Sequence, residues 1–294
     1  MSSPESLTIT LIAAGRLSAA HAAHAIAALT AANAKPGAWT WLDEADALDI
    51  PTTNITAQNA REILEAALPD LDIIVQPSAL PRRKSLLIAD MDSTMIQCEC
   101  IDELADYAGL KPQVAAITEA AMRGELDFAK ALTARVALLK GLPTSVLDQC
   151  RQERVRLTPG AKTLVQTMAA NGAHTLLVSG GFTAFTAPIA AEIGFHAQQA
   201  NILLTENDRL TGKVAHPITD AQTKRTALLT ANHPTNATLA VGDGANDIPM
   251  LEAASLGIAF HAKPKAATAA NAHIRHGDLT ALLWAQGYKK TEWK

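Results

Sequence analysis

Aromatic residues are scarce in this chain, at 4% of 294 positions, and only three cysteines occur: Cys98, Cys100 and Cys150. With few large rings to fill a core and long alanine-rich stretches in their place, helices packed through small side chains are expected. Three cysteines without a Cys-x-x-Cys pair exclude a disulfide scaffold and suit a reducing cytosol. An excess of positive charge is lacking too: 25 Lys+Arg stand against 29 Asp+Glu, a net −4. That balance argues against a general nucleic-acid or anionic-membrane binder, while leaving room for a local cationic pocket that holds a small anion. No charge-free apolar run is long enough to cross a bilayer, and Met1–Glu5 lacks the basic segment and apolar stretch of a secretory leader. The expectation is a soluble cytoplasmic protein with no nucleic-acid and no membrane partner. Hydrophobic residues at 48% and charged residues at 18% favour a globular chain, long enough for one large domain or about two average ones.

Residues 1–78 read as a small α+β unit of their own. Ser6–Ala14 is strand-like, Ser18–Asn33 is an alanine-rich helix, and Ala38–Leu42 alternates with Trp39 and Trp41 on one face. A helix at Ala57–Leu68 and a strand at Asp72–Val75 complete a β-α-β-α-β series, with room for one further short strand. The segment 79–84, with Pro81, Arg82, Arg83 and Lys84, reads as a linker whose charges are solvated. From Ser85 an α/β pattern starts, is interrupted by helical spacing from about residue 98 to 157, and resumes after Thr158-Pro159-Gly160. The interruption reads as an inserted helical cap, with Gly109 and Gly141 placed to end helices. Residues 200–205 and 209–215 read as a hairpin around Glu206-Asn207-Asp208.

Three apolar strands end in polar loops. Leu86–Ala89 runs into Asp90-Met91-Asp92-Ser93-Thr94, His174–Val178 into Ser179-Gly180-Gly181, and Thr238–Val241 into Gly242-Asp243-Gly244-Ala245-Asn246-Asp247. In a parallel sheet these ends converge at the carboxyl edge, where open α/β sheets build their sites. Residues i and i+2 of a strand face one side, so Asp90 and Asp92 can address one reacting centre. Two adjacent anions are held together mainly for a cation or for acid–base chemistry. Ser179 offers a hydroxyl, and Gly180 and Gly181 let backbone amides approach an anionic oxygen. Lys224 offers a compact positive charge. Asp90, Asp243 and the carbonyl of Asp92 form a hard-oxygen set suited to Mg²⁺, and no His/Cys cluster competes for a softer metal. Asp247 and Asn246 open the helix that follows.

Taken in order, Asp-x-Asp-x-Thr, Ser-Gly, Lys and Gly-Asp-Gly-x-Asn-Asp resemble the four motifs of the haloacid dehalogenase superfamily. The stretches "DMDSTMIQCECIDELADYAG", "MRGELDFAKALTARVALLKG", "DAQTK" and "VGDGANDIPML" are similar to the phosphoserine phosphatases within it. This resemblance covers nearly all of residues 84–285. It implies a Rossmann-like parallel sheet with a helical cap of the C1 type. The implied activity is Mg²⁺-dependent hydrolysis of O-phosphoserine, the last step of serine biosynthesis. Asp90 would be the nucleophile that becomes an aspartyl-phosphate, and Asp92 the general acid and base. Lys224 and Ser179 would steady the phosphoryl group with Gly180 and Asn246, and Asp247 would position Lys224 or a metal-bound water.

In the cap, Glu99 matches the position that receives the substrate ammonium and Arg135 the one that clamps its carboxylate, while Met122 and Phe128 close over the substrate. The family's Ser-Leu-Arg-like segment ahead of that clamp is replaced by Ala131-Leu132-Thr133. Two rivals stay open: a phosphatase of a related metabolite such as phosphothreonine or phosphohomoserine, and a signalling receiver phosphorylated on aspartate. The N-terminal unit resembles a degenerate ACT-type module, with self-association as a homodimer preferred over serine sensing because no glycine-rich ligand loop stands out.

Overall fold

The computed structural model describes residues 6–123 and 125–294; the start of the chain, residues 1–5, on which the reading of no leader rests, lies outside them. The N-terminal region comprises β1 (Leu7–Ile12), α1 (Ala19–Ala31), β2 (Lys35–Pro36), β3 (Thr40–Asp43), β4 (Ala47–Thr53), α2 (Ala57–Ala67) and β5 (Asp72–Pro77). Its antiparallel sheet runs β2-β4-β1-β5, with β3 pairing β4. Ala22, Ala25 and Leu29 of α1 and Ala60 and Leu64 of α2 are buried with the inward residues of that sheet, so small side chains do let the helices sit close.

The catalytic region begins with β6 (Leu86–Ala89). The cap helices follow: α3 (Cys100–Asp106), α4 (Lys111–Met122), α5 (Phe128–Leu138) and α6 (Ser145–Arg154). Then come α7 (Ala161–Ala170), β7 (His174–Phe182), α8 (Thr183–Ile193), β8 (Ala197–Asn201), the hairpin β9 (Leu203–Glu206) and β10 (Arg209–Val214), and α9 (Ala221–Thr230). The chain closes with β11 (Thr238–Gly242), α10 (Ile248–Ala253), β12 (Leu256–Phe260), α11 (Pro264–Ala269), β13 (Ala272–Ile274) and α12 (Ala281–Ala285). Asn207 and Asp208 turn the hairpin with φ of 49° and 56°, the left-handed pair that a tight two-residue turn requires.

Six strands form one sheet in the order β13-β12-β11-β6-β7-β8, and every pairing is parallel. Leu86, Leu87, Ile88 and Ala89 of the central strand are wholly buried. A parallel strand covered on both faces reads as this kind of unbroken apolar run, and each large side chain so buried contributes about 1.5–3 kcal/mol. The chain moves from β6 to β7 and β8 on one side, then returns to β11, β12 and β13 on the other. The order therefore reverses between β6 and β11, and that switch point opens a crevice at the strands' carboxyl ends.

Residues 79–84 are only partly solvated: Ala79, Pro81 and Arg83 are exposed, whereas Arg82 and Lys84 are docked. Arg82 donates to Asp49 at 2.5 and 2.7 Å, to Thr10 Oγ1 at 3.0 Å and to the carbonyl of Trp284 at 3.3 Å. Lys84 is buried, with Nζ donating to the carbonyl of Pro81 at 2.6 Å. Asp72 accepts from the amides of Arg275 and Gly277 at 2.6 and 2.7 Å, so charged side chains dock the antiparallel sheet onto the end of the parallel one. No helix among the described residues is long and apolar enough to cross a membrane.

Candidate active site

The reversal in strand order puts Asp90, at the end of β6, beside Asp243, at the end of β11, with Ser179 projecting from β7 on the other side. Asp90, Asp92, Asp243 and Asp247 are all buried around one buried lysine, Lys224 of α9. Lys224 Nζ lies 2.7 Å from Asp90 Oδ1 and 2.7 Å from Asp247 Oδ1. Asp247 Oδ2 accepts from the amides of Asp243 and Gly244, each at 3.0 Å. Both oxygens of Asp247 are thus committed, one to the lysine and one to the loop after β11. Gly242 leaves the space in which this carboxylate sits, since a Cβ there would fall 2.5 Å from Asp247 Oδ2.

Asp90 Oδ1 accepts a second bond, from Met91 N at 2.7 Å, so its Oδ2 is the atom without a protein partner among the described residues. Asp243 Oδ1 accepts from Thr94 Oγ1 at 3.0 Å, which leaves its Oδ2 free in the same way. Oxygens of Asp90, Asp243 and Asp247 lie within 4.8 Å of one another. Burial, then the charge of Asp247, pushes Asp90 up to about 7. Asp243 is driven well above the usual carboxylate range by burial first and by Glu99, Asp247 and Asp90 after it. Burial alone would lower Lys224, but Asp247 and Asp90 outweigh it and hold the ammonium charged. Four buried carboxylates against one cation is a surplus that a divalent ion would neutralise, and the available donors are hard oxygens of the kind Mg²⁺ takes. The residues present therefore fit a metal site.

Asp92 takes a different position. Ser93 adopts φ of 53° in the turn after Asp90, and Asp92 Oδ1 accepts from Cys100 N at 2.9 Å. Its Oδ2 lies 3.5 Å from Ser179 Oγ, in space that a Cβ on Gly181 would occupy at 2.6 Å. Burial raises Asp92 to about 6, the Cys100 amide opposing. Ser179 Oγ accepts from Gly181 N at 2.9 Å and turns its own proton toward Asp92 Oδ2 at 3.5 Å, a long bond that a better acceptor can replace.

The cap completes the enclosure. Asp90, Asp92, Glu99, Met122, Phe128, Arg135, Ser179, Gly180 and Asn246 line one cavity of about 40 Å³, room for about three waters. Phe128 rests on Gly180, where a Cβ would fall 2.6 Å from its Cζ, and Met122 rests on Gly244. The cap is closed on the sheet. Glu99 Oε1 accepts from Ser93 Oγ at 2.6 Å, and burial, then Asp92, raises Glu99 to about 8. Asn246 Oδ1 is buried without a hydrogen-bond partner, a polar group waiting for an occupant of the cavity. All twelve residues singled out in the sequence thus meet in one place. Thr94, which fixes Asp243, and Asp102 and Thr118, which contact the cap arginine's network, were not singled out. Thr94 stands within Asp-x-Asp-x-Thr, whereas Asp102 and Thr118 carry no local signal.

Residues 87–252 match the pattern of the haloacid dehalogenase-like hydrolases. Phosphoserine phosphatase of Albidiferax ferrireducens is 46% identical over 72% of this chain and 94% of its own length. That of Streptomyces coelicolor is 43% identical over 84% of this chain, which spans 62% of that longer relative. A crystal structure of a probable phosphoserine phosphatase from Vibrio cholerae, unliganded, superposes with a TM-score of 0.76 at 33% identity, covering 98% of this chain and 88% of that one. Its sheet order, cap and acidic cluster agree with these matches: the chain belongs to the haloacid dehalogenase-like hydrolases, and within them to the phosphoserine phosphatases.

Proposed function

We infer that this chain hydrolyses O-phospho-L-serine to L-serine and phosphate, with Asp90 as the transient acceptor of the phosphoryl group. The observation that carries this reading is the division of labour on Asp90: one oxygen is tied by Lys224 and Met91 N, and the other is free at the cavity. Mg²⁺ would be held by Asp90, Asp243 and the Asp92 carbonyl, and would supply the charge neutralisation that lets a phosphate dianion approach a carboxylate. Asp90 attacks phosphorus while the bond from phosphorus to the serine oxygen breaks, and Asp92 gives that oxygen its proton. In the second half, water attacks the aspartyl-phosphate, Asp92 takes the water's proton, and phosphate and Asp90 are regenerated. Lys224 and the Ser179 hydroxyl hold the non-bridging oxygens, and the Asn246 amide turns its nitrogen to the same group. Asp247, with neither oxygen free, is a positioning residue for Lys224.

Selectivity comes from the cap: Glu99 receives the substrate ammonium, and the forked guanidinium of Arg135 takes the carboxylate. A signalling receiver has no use for a closed cap or for a second acid at Asp92. The test is a phosphate-release panel with and without Mg²⁺. O-phosphoserine should exceed phosphothreonine, phosphohomoserine and an aryl phosphate, and equal rates across the panel would overturn the substrate. The N-terminal residues 1–78 act as a separate ACT-like domain that joins two copies of the chain in the cytoplasm. A chain starting at Ser85 with unchanged oligomeric size would overturn that role.

A further inference from the structure

Glu99 and Arg135 line the same small cavity, yet no ion pair joins them among the described residues. Arg135 is only 5% exposed, so protein partners rather than water decide where its N–H groups point. Arg135 Nε donates to the carbonyl of Ala131 at 3.1 Å, and one terminal nitrogen donates to Thr118 Oγ1 at 2.9 Å. The Thr118 hydroxyl has a single proton, which it directs to Asp102 Oδ1 at 2.6 Å; the carbonyl of Val114, at 3.1 Å, is the more distant and uncharged competitor. Two of the five N–H bonds of the guanidinium are therefore occupied, and three remain for a ligand.

We propose that Thr118 and Asp102 are positioning residues for substrate selection: the hydroxyl relays the negative charge of Asp102 to Arg135, fixing the guanidinium so that its remaining N–H bonds point at the substrate carboxylate. The relay links three cap helices, with Asp102 on α3, Thr118 on α4 and Arg135 on α5. Correct folding of the cap is thereby coupled to presentation of a fork. Thr118 is itself buried at 3% exposure, so the relay operates where water does not compete. The inference rests on Arg135 being the carboxylate clamp.

The experiment compares KM for O-phosphoserine with KM for O-phosphoethanolamine, which keeps phosphate and ammonium but lacks the carboxylate. Thr118→Val should raise the phosphoserine KM about tenfold and leave the phosphoethanolamine KM in place. Thr118→Ser, which restores the hydroxyl, should return the wild-type value, and Asp102→Asn should give a rise of about threefold confined to phosphoserine. Equal rises for both substrates, or a Thr118→Val enzyme indistinguishable from wild type, would overturn the relay. Arg135→Lys separates the two levels of inference. If it affects phosphoserine selectively and Thr118→Val does not, the relay alone fails; if it affects both substrates equally, the clamp fails and the relay with it.

Discussion

On the sheet side of the cavity four carboxylates crowd around one lysine, fixed by backbone amides and by the ends of adjacent strands. On the cap side one acid and one base share the space unpaired, held by hydroxyls from Ser93 and Thr118. The first arrangement is strained by its own negative charge and relieved by a cation, which then lets a phosphoryl group approach. The second is balanced and awaits a zwitterion. Chemistry is thus built on the ends of paired parallel strands, and selection is built on the helices inserted after β6.

The sharpest way to break this contrast is Asp90→Asn. It should lower kcat by roughly 10⁴-fold or more while leaving thermal stability undiminished, because one repelling charge is removed from a crowded site. Retained turnover would show that the sheet side does not do the chemistry. Lys224→Met should cost both activity and about 3 kcal/mol of stability in denaturant titration, since Asp90 and Asp247 lose their shared cation; an unchanged midpoint would contradict the pairing. Gly180→Ala probes the seam between the two sides. Its Cβ meets the Phe128 ring, so closure is impeded and KM should rise roughly tenfold for phosphoserine and phosphoethanolamine alike; a rise for phosphoserine alone would place Gly180 in selection.

Lys84 serves as a charge remote from both sides. Burial, then Arg82, lowers its pKa from 10.5 to about 8, so between those values the unfolded chain binds more protons than the folded one. Stability should rise with pH across that window and the contribution should vanish in Lys84→Met, as urea unfolding at both ends of it would show, with kcat unaffected. The same slope in both proteins would remove Lys84 as its source.

Legibility followed locality. Asp90, Asp92, Ser179, Asp243 and Asp247 could be read because each sits in a short motif at the end of an apolar strand, and parallel pairing does the rest. Glu99, just ahead of α3, and Arg135, on α5, carry no local mark, and only resemblance to a family pointed to them. The Asp102–Thr118 relay joins positions 16 residues apart on different helices, a contact that exists only after the cap has folded. In the N-terminal sheet, β4 was anticipated only as room for a short strand, because Asp49 and Pro51 interrupt its alternation; Asp49 is there to pair with Arg82. The polar sequence of β8, Ala197–Asn201, likewise hides a strand at the edge of the parallel sheet.

The most direct test is to mix the enzyme with O-phosphoserine labelled in its phosphate, quench in acid within one turnover, and map the label by peptide mass spectrometry. Label on Asp90, lost on treatment with hydroxylamine and absent from Asp90→Asn, is the expected result. Label on any other residue, or turnover with none trapped on the protein at any time, would contradict Asp90 as the acceptor.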